Sequence, residues 1–132
     1  MIHVLDASAL IALFRGEPGG ERVGECLAAE ECVMSSINLA EFVGKLVSEG
    51  GTLSQVEEIV RTLPLEIAPY STADAFLTGA WRVATRHLGL SLGDRACLAL
   101  ASRLDGLALT TDRPWLKLDI GVRIECVRPA AA

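Results

Sequence analysis

Apolar residues in this chain fall into short continuous runs and longer stretches at helical spacing, and the two kinds alternate along its length. Ile2-His3-Val4-Leu5 reads as a short buried strand, followed by helical spacing through Ala9, Leu10, Leu13 and Phe14 that breaks at Arg15-Gly16-Glu17-Pro18. A second helix is predicted from about Gly20 to Ala29 and a second strand at Cys32-Val33-Met34. Ser35 and Ser36 lead into a helix whose Leu39, Phe42, Val43, Leu46 and Val47 share one face, stopped by Gly50-Gly51. Thr52 or Ser54 caps the next helix, with Leu53, Val56, Ile59, Val60 and Leu63 at helical spacing. Leu65-Glu66-Ile67 is a third strand after Pro64. Ser71 or Thr72 then opens a long helix, Ala73 to His87, with Phe76, Leu77, Ala80, Val83 and Ala84 inward. An Ala/Leu-rich helix runs from Asp94 to Leu104 and ends at Gly106, and Leu107-Ala108-Leu109 is a further strand. Asp112 starts a short helix through Leu118, and Val122 to Val127 closes the sheet. Strands alternating with helices predict an α/β fold, a parallel sheet covered on both faces.

Four acids stand at the handovers of this pattern: Asp6, Glu41, Asp94 and Asp112. In an open α/β sheet such handovers gather along the carboxyl edge of the strands, where ligands bind. Each acid taken singly has a capping explanation: Asp6 at the first helix, Asn38-x-x-Glu41 and Ser91-x-x-Asp94 as capping boxes, Asp112 before Arg113-Pro114. Capping does not require the acids to share one end of the sheet. Four carboxylates meeting there would repel one another unless a hard cation such as Mg²⁺ or Mn²⁺ joined them.

Composition narrows the class without naming it. At 132 residues, with 51% hydrophobic and 22% charged residues, the chain is expected to form one globular domain over 1–132. Positions 128–132, with their Pro-Ala-Ala-Ala end, are expected to fray. No apolar run approaches the ~20 residues of a membrane span, and the N-terminus lacks the charged region of a signal peptide, so no membrane role and a cytoplasmic location are expected. Cys26, Cys32, Cys97 and Cys126 fall at no metal-ligand spacing and read as small buried hydrophobes. A formal net charge of −5 argues against a general nucleic-acid coat protein. It does not exclude a nuclease whose acids are offset by bound metal.

Four blocks of sequence carry a resemblance. Val4-Leu5-Asp6-Ala7-Ser8-Ala9-Leu10, Ser36-Ile37-Asn38-Leu39-Ala40-Glu41, Leu90-Ser91-Leu92-Gly93-Asp94-Arg95-Ala96-Cys97-Leu98-Ala99-Leu100-Ala101 and Leu109-Thr110-Thr111-Asp112-Arg113-Pro114-Trp115 occur in this order and span most of the chain. The ordered set resembles the PIN-domain ribonucleases, specifically the VapC-type toxins of toxin–antitoxin pairs. The resemblance implies a three-layer fold with a five-stranded, mostly parallel sheet flanked by helices. It also implies Mg²⁺- or Mn²⁺-dependent endoribonuclease activity, an RNA substrate, a small antitoxin partner and a homodimer.

On that reading Asp6, Glu41, Asp94 and Asp112 are the catalytic acids. Asp6, Asp94 and Asp112 hold the metal, while Glu41 binds a second metal or orients the attacking water. Ser8, Asn38 and Thr111 are candidates to hydrogen-bond a ligating carboxylate or a metal water, against a plain capping role. Arg15, Arg95 and Arg113 are the cations nearest by sequence for the RNA phosphates. Asp74 reads as a helix-opening acid favoured by the dipole, Asp105 and Asp119 as turn residues, Trp81 and Trp115 as packing anchors, and His3 and His87 as structural. A receiver-type phosphotransfer module would need adjacent acids after the first strand and a late Lys, and a haloacid-dehalogenase-like phosphatase would need an acid where Ser8 stands. The alternative that survives is a non-catalytic module that uses its acidic pocket to dock a protein.

Overall fold

Val4 and Leu5 are fully buried and His3 nearly so, which means that β1 (Ile2–Leu5) must be covered on both faces and flanked on both edges. In the computed structural model, which describes residues 1–130, it pairs in parallel with β2 (Glu31–Ser35) on one side and β4 (Leu107–Thr110) on the other. β3 (Glu66–Ala68) adds to β2 and β5 (Arg123–Cys126) to β4, giving a five-stranded sheet of order β3-β2-β1-β4-β5. All four pairings are parallel, where the sequence resemblance implied only mostly so.

The pleat sorts the core into two layers, because successive side chains of a strand point to opposite faces. Leu5, Met34 and Leu109 pack on one face with Leu10, Val23, Phe42 and Val56. These come from α1 (Ala7–Arg15), α2 (Gly20–Ala29), α3 (Ser36–Ser48) and α4 (Leu53–Thr62). Val4, Val33 and Ala108 pack on the other face with Leu98 and Leu100 of α6 (Leu92–Arg103) and with Trp115, with Trp81 of α5 (Thr72–Ala84) at its margin. Three layers result, helices on both sides of a sheet.

Local chemistry sets the helix starts. Thr52 with Gln55, and Ser91 with Asp94, form reciprocal capping boxes at α4 and α6, and Ser71 caps α5. At α3 the cap is Ser35, whose Oγ accepts from Ile37 N at 3.2 Å. Asn38 and Glu41 therefore lie inside the helix and are not the capping box that their spacing suggested. Asp112 precedes a 3₁₀ turn, Arg113–Lys117, without a side-chain cap bond.

The inward face of α5 differs from the expected one. Phe76 is 77% and Val83 70% exposed, and Ala80 and Ala84 also face outward, whereas Asp74, Thr78 and Thr85 are buried. Asp74 accepts from Arg103 Nε at 2.7 Å and Nη2 at 3.1 Å, and Arg95 Nη1 donates to the Thr78 carbonyl at 2.8 Å. These bonds fix α5 to α6 by its polar side. Cys26, Cys32 and Cys97 are buried free thiols as expected, but Cys126 is only partly buried. Of the expected frayed end, residues 131–132 lie outside the described residues. Arg128 is exposed, yet its carbonyl accepts from Arg113 Nη2 at 2.6 Å.

Candidate active site

The chain builds the sheet outward from β1 through β2 to β3, then returns to the other side of β1 with β4 and β5. The crevice beyond the carboxyl ends of β1 and β4 is the switch point of such a sheet and the usual place for a ligand. Asp6 leaves β1 at that point, and its amide closes on the Leu109 carbonyl at 3.1 Å. Asp112 leaves β4 two residues after the strand ends.

Asp6 is 4% exposed and held on three sides. Its Oδ1 accepts from Ala9 N at 2.8 Å and Ser8 Oγ at 2.7 Å, and its Oδ2 accepts from Thr110 Oγ1 at 2.6 Å. Thr110 Oγ1 also accepts from Asp112 N at 3.0 Å, and Ser8 Oγ accepts from Thr111 N at 3.1 Å. Two hydroxyls thus tie the loop after β1 to the loop after β4 through Asp6. Burial pushes the Asp6 carboxyl up to about 6 and outweighs the three hydrogen bonds that hold it down; the nearby Asp94 charge adds to the rise. Partial burial, and then Asp94, also raise the Asp112 carboxyl, against Trp115 and Arg128. The buried indole N–H of Trp115 has no partner within hydrogen-bond geometry, yet it lies close enough to Asp112 to favour the carboxylate.

Asp6, Glu41 and Asp94 line one open cleft of about 330 Å³, together with Ser8, Ile11 and Lys45. Glu41 comes from the second turn of α3 and Asp94 from the first turn of α6. Glu41 Oε1 accepts from Asn38 Nδ2 at 2.9 Å, and the same amide donates to the Gly93 carbonyl at 3.0 Å. Asn38 is fully buried and ties α3, which carries Glu41, to the first turn of α6, which carries Asp94. Gly93 leaves the room that Glu41 fills: a Cβ there would stand 2.2–2.5 Å from the Glu41 carboxylate atoms. Beneath the cleft the fully buried Cys97 thiol is pushed well above its ordinary range by burial and by the Asp6, Asp94 and Glu41 charges.

Three of the four acids therefore share the cleft, and Asp112 stands beside it within reach of Asp94's charge. Ser8 hydrogen-bonds Asp6, and Asn38 hydrogen-bonds Glu41 in place of a capping role. Thr111 contributes only its backbone N–H; the hydroxyl on Asp6 belongs to Thr110, which the sequence reading passed over. The three arginines are engaged elsewhere: Arg15 in a bidentate pair with Glu49, Arg95 on the Thr78 carbonyl, Arg113 on the Arg128 carbonyl. None of them lines the cleft. The cation that does is Lys45, one helical turn after Glu41, a spacing that marks a shared face.

The donor set is chemically suited to a hard cation, being carboxylate oxygens with hydroxyls behind them. It is not drawn up as a finished cage: among the described residues no three His, Cys, Asp or Glu side chains are gathered closely enough to hold a metal ion. The hydrogen bonds show why. Asp94 Oδ2 is turned back onto Ser91 N at 3.0 Å, and Glu41 Oε1 is held by Asn38.

A sequence model of the PIN domain matches residues 3–121, a span that contains all four acids. The chain belongs to the PIN domain family. Solved structures similar to this PIN domain include VapBC2 of Rickettsia felis bound to a promoter DNA fragment, 20% identical over 95% of this chain and 98% of that one, with a TM-score of 0.73. VapC20 of Mycobacterium tuberculosis, a sarcin-ricin loop cleaving toxin, is 17% identical over 96% of this chain and 99% of that one, with a TM-score of 0.75. DNA-bound VapBC of Salmonella typhimurium is 22% identical over 95% and 97%, with a TM-score of 0.69. No curated protein matches the sequence. None of the described helices of this PIN domain is long and apolar enough to cross a membrane.

Proposed function

We propose that this PIN domain is a divalent-metal-dependent endoribonuclease and the toxin of a toxin–antitoxin pair. The observation that carries the reading is the convergence of Asp6, Glu41 and Asp94, from three separate elements, on one cleft at the switch point of the sheet. Asp6, Asp94 and Asp112 would hold Mg²⁺ or Mn²⁺, and Asp94 would leave its bond to Ser91 to do so. The chemistry supplied there is neutralisation of the carboxylates and Lewis-acid polarisation of the phosphodiester. Glu41, held by Asn38, accepts the proton of the attacking water. The water oxygen forms the new bond to phosphorus as the bond to the ester oxygen opposite breaks, and that oxygen takes its proton from solvent in the open cleft. Ser8 and Thr110 keep Asp6 oriented through the reaction.

The partner and assembly are read by analogy with the VapBC complexes: a small antitoxin, and a second copy of the chain. Two apolar surfaces among the described residues are open to them. One is the Phe76 and Val83 stripe of α5, and the other a groove of about 930 Å³ bordered by Phe14, Leu46, Val56 and Ile59. The non-catalytic alternative draws on the satisfied carboxylates of Asp6, Glu41 and Asp94, each already held by its own neighbours. One experiment separates the two: a Mn²⁺-supplemented digest of total bacterial RNA with wild-type protein and Asp94→Asn, mapping new 5′ ends. Discrete cuts made by wild type alone are expected. Cuts by neither protein would favour the docking module, and equal cuts by both would place the activity outside these acids.

A further inference from the structure

We infer that a single RNA strand crosses the carboxyl edge of the sheet at right angles to its strands, with one phosphate held by Lys45 beyond β2 and another by Arg128 beyond β5. The inference rests on the ribonuclease reading and adds to it the direction of the strand and the two side chains that hold it. The strand order gives the layout. In the strand order Asp6 follows β1, Asp112 follows β4 and Arg128 follows β5, while α3 follows β2 and carries Lys45 into the cleft beside Asp6. Acids occupy the middle of this row and a cation stands at each end. Neighbouring strands lie ~4.8 Å apart, so the stretch from β1 to β5 covers about 10 Å, a few nucleotides of extended chain.

Each cation is placed by contacts of its own. Lys45 lines the cleft with Asp6, Glu41 and Asp94. Its ion pair is with Glu49 at 3.6 Å, and Glu49 is already neutralised by a bidentate pair with Arg15, which leaves the ammonium little to lose on turning to a phosphate. Arg128 is anchored beside Asp112 by its backbone. Val127 N donates to the Thr110 carbonyl at 2.8 Å, and the Arg128 carbonyl accepts from Arg113, the residue after Asp112. Its charge reaches the Asp112 carboxylate, while no protein carboxylate pairs with it among the described residues. RNA phosphates bound across this edge would meet positive charge at both ends, with the scissile group between them over the acids.

The test is the salt dependence of binding, because each phosphate contact to a single strand contributes about 0.7 to the slope of log affinity against log salt. A fluorescein-labelled oligouridylate is titrated in Mn²⁺ against protein carrying Glu41→Gln, which keeps the RNA uncut. Lys45→Ala and Arg128→Ala are each expected to lower the slope by about 0.7, and together by about 1.4. Lys45→Arg and Arg128→Lys should restore it, and Arg82→Ala, the same charge removed from exposed α5, should leave it unchanged. With Glu41 intact, each alanine variant should raise KM for RNA roughly tenfold at constant kcat, the mark of lost binding shared by ground and transition states. Active enzyme with an unchanged slope at either position overturns the two-ended path and leaves the ribonuclease standing. Wild-type protein that cuts no RNA overturns the ribonuclease and the path with it.

Discussion

At Gly93 one missing methyl group decides whether Glu41 can stand in the cleft. The clash that a Cβ would create is with the mobile end of Glu41 and not with backbone, so Gly93→Ala should fold and push the carboxylate aside. Alanine is favoured over glycine by up to ~1 kcal/mol within a helix, so urea unfolding should show a variant at least as stable as wild type. Its kcat should fall by about a hundredfold, the upper range for losing a positioned proton acceptor being 10⁴. Retained kcat would mean that Glu41 does not work from this position. Thr110 is the second deciding residue. Thr110→Val leaves Asp6 Oδ2 and Asp112 N without partners and is expected to cost about 2 kcal/mol, recovered by Thr110→Ser. Equal stability of the Val variant in urea would mean that water replaces the hydroxyl. Asp6 and Asp112 were legible because they leave β1 and β4 at the edge where topology gathers such residues. Glu41 lies in the second turn of α3 and Asp94 opens α6 after a 3₁₀ turn, so the sequence motifs around them and not a strand end marked those two. Thr110 was not legible, since Thr111 offers the same chemistry and only the pleat of β4 tells which of the two turns inward. Nearness in sequence misled for Arg15, Arg95 and Arg113, whose side chains have partners elsewhere.

Helices α5 and α6 show how an element can be found and still be turned the wrong way. Periodicity gave α5 its existence and its start at Ser71, and it identified an apolar stripe through Phe76, Ala80 and Val83. A stripe shows that a helix has two faces; it does not show which is covered. The opposite face carries Asp74, which is 2% exposed and paired with Arg103, and that pair lies where only the folded arrangement of α5 on α6 brings it together. Two substitutions read the orientation directly. Phe76→Ala should change stability by less than about 0.5 kcal/mol, as for an exposed site, where a core phenylalanine would cost roughly 3–5. Arg103→Ala leaves the buried Asp74 carboxylate with neither of its guanidinium donors and should cost about 2 kcal/mol in urea at neutral pH, moderated because Arg103 is itself half-exposed. The reverse ranking of the two variants would put the apolar stripe inside.

For the whole molecule, the acid site makes the metal-free fold less stable as pH rises. Asp6 titrates at about 6 when folded against 3.8 when exposed, so the folded state binds its proton more tightly. Below pH 3.8 the group is protonated in both states and exerts no effect. Between there and about 6 the unfolded chain ionises first, and stability is lost across that window. Above it the loss is complete and amounts to about 3 kcal/mol at 1.36 kcal/mol per unit. Asp6→Asn removes the charge and keeps an acceptor for Ala9 N. In chelator it should therefore match wild type near pH 4 and exceed it by up to about 3 kcal/mol at pH 7.5. Mn²⁺ should reverse the comparison. A ligand at a hundred times its Kd stabilises by about 2.7 kcal/mol, close to the burial penalty, and it binds the ionised carboxylates only. Wild type should then gain in urea midpoint above pH 6 while Asp6→Asn stays where it was. Parallel pH curves for the two proteins in chelator would mean that Asp6 carries no penalty. A Mn²⁺ shift shared by both would place the metal away from Asp6. A site that opposes folding when empty and supports it when filled ties the stability of the chain to the cation its proposed chemistry requires.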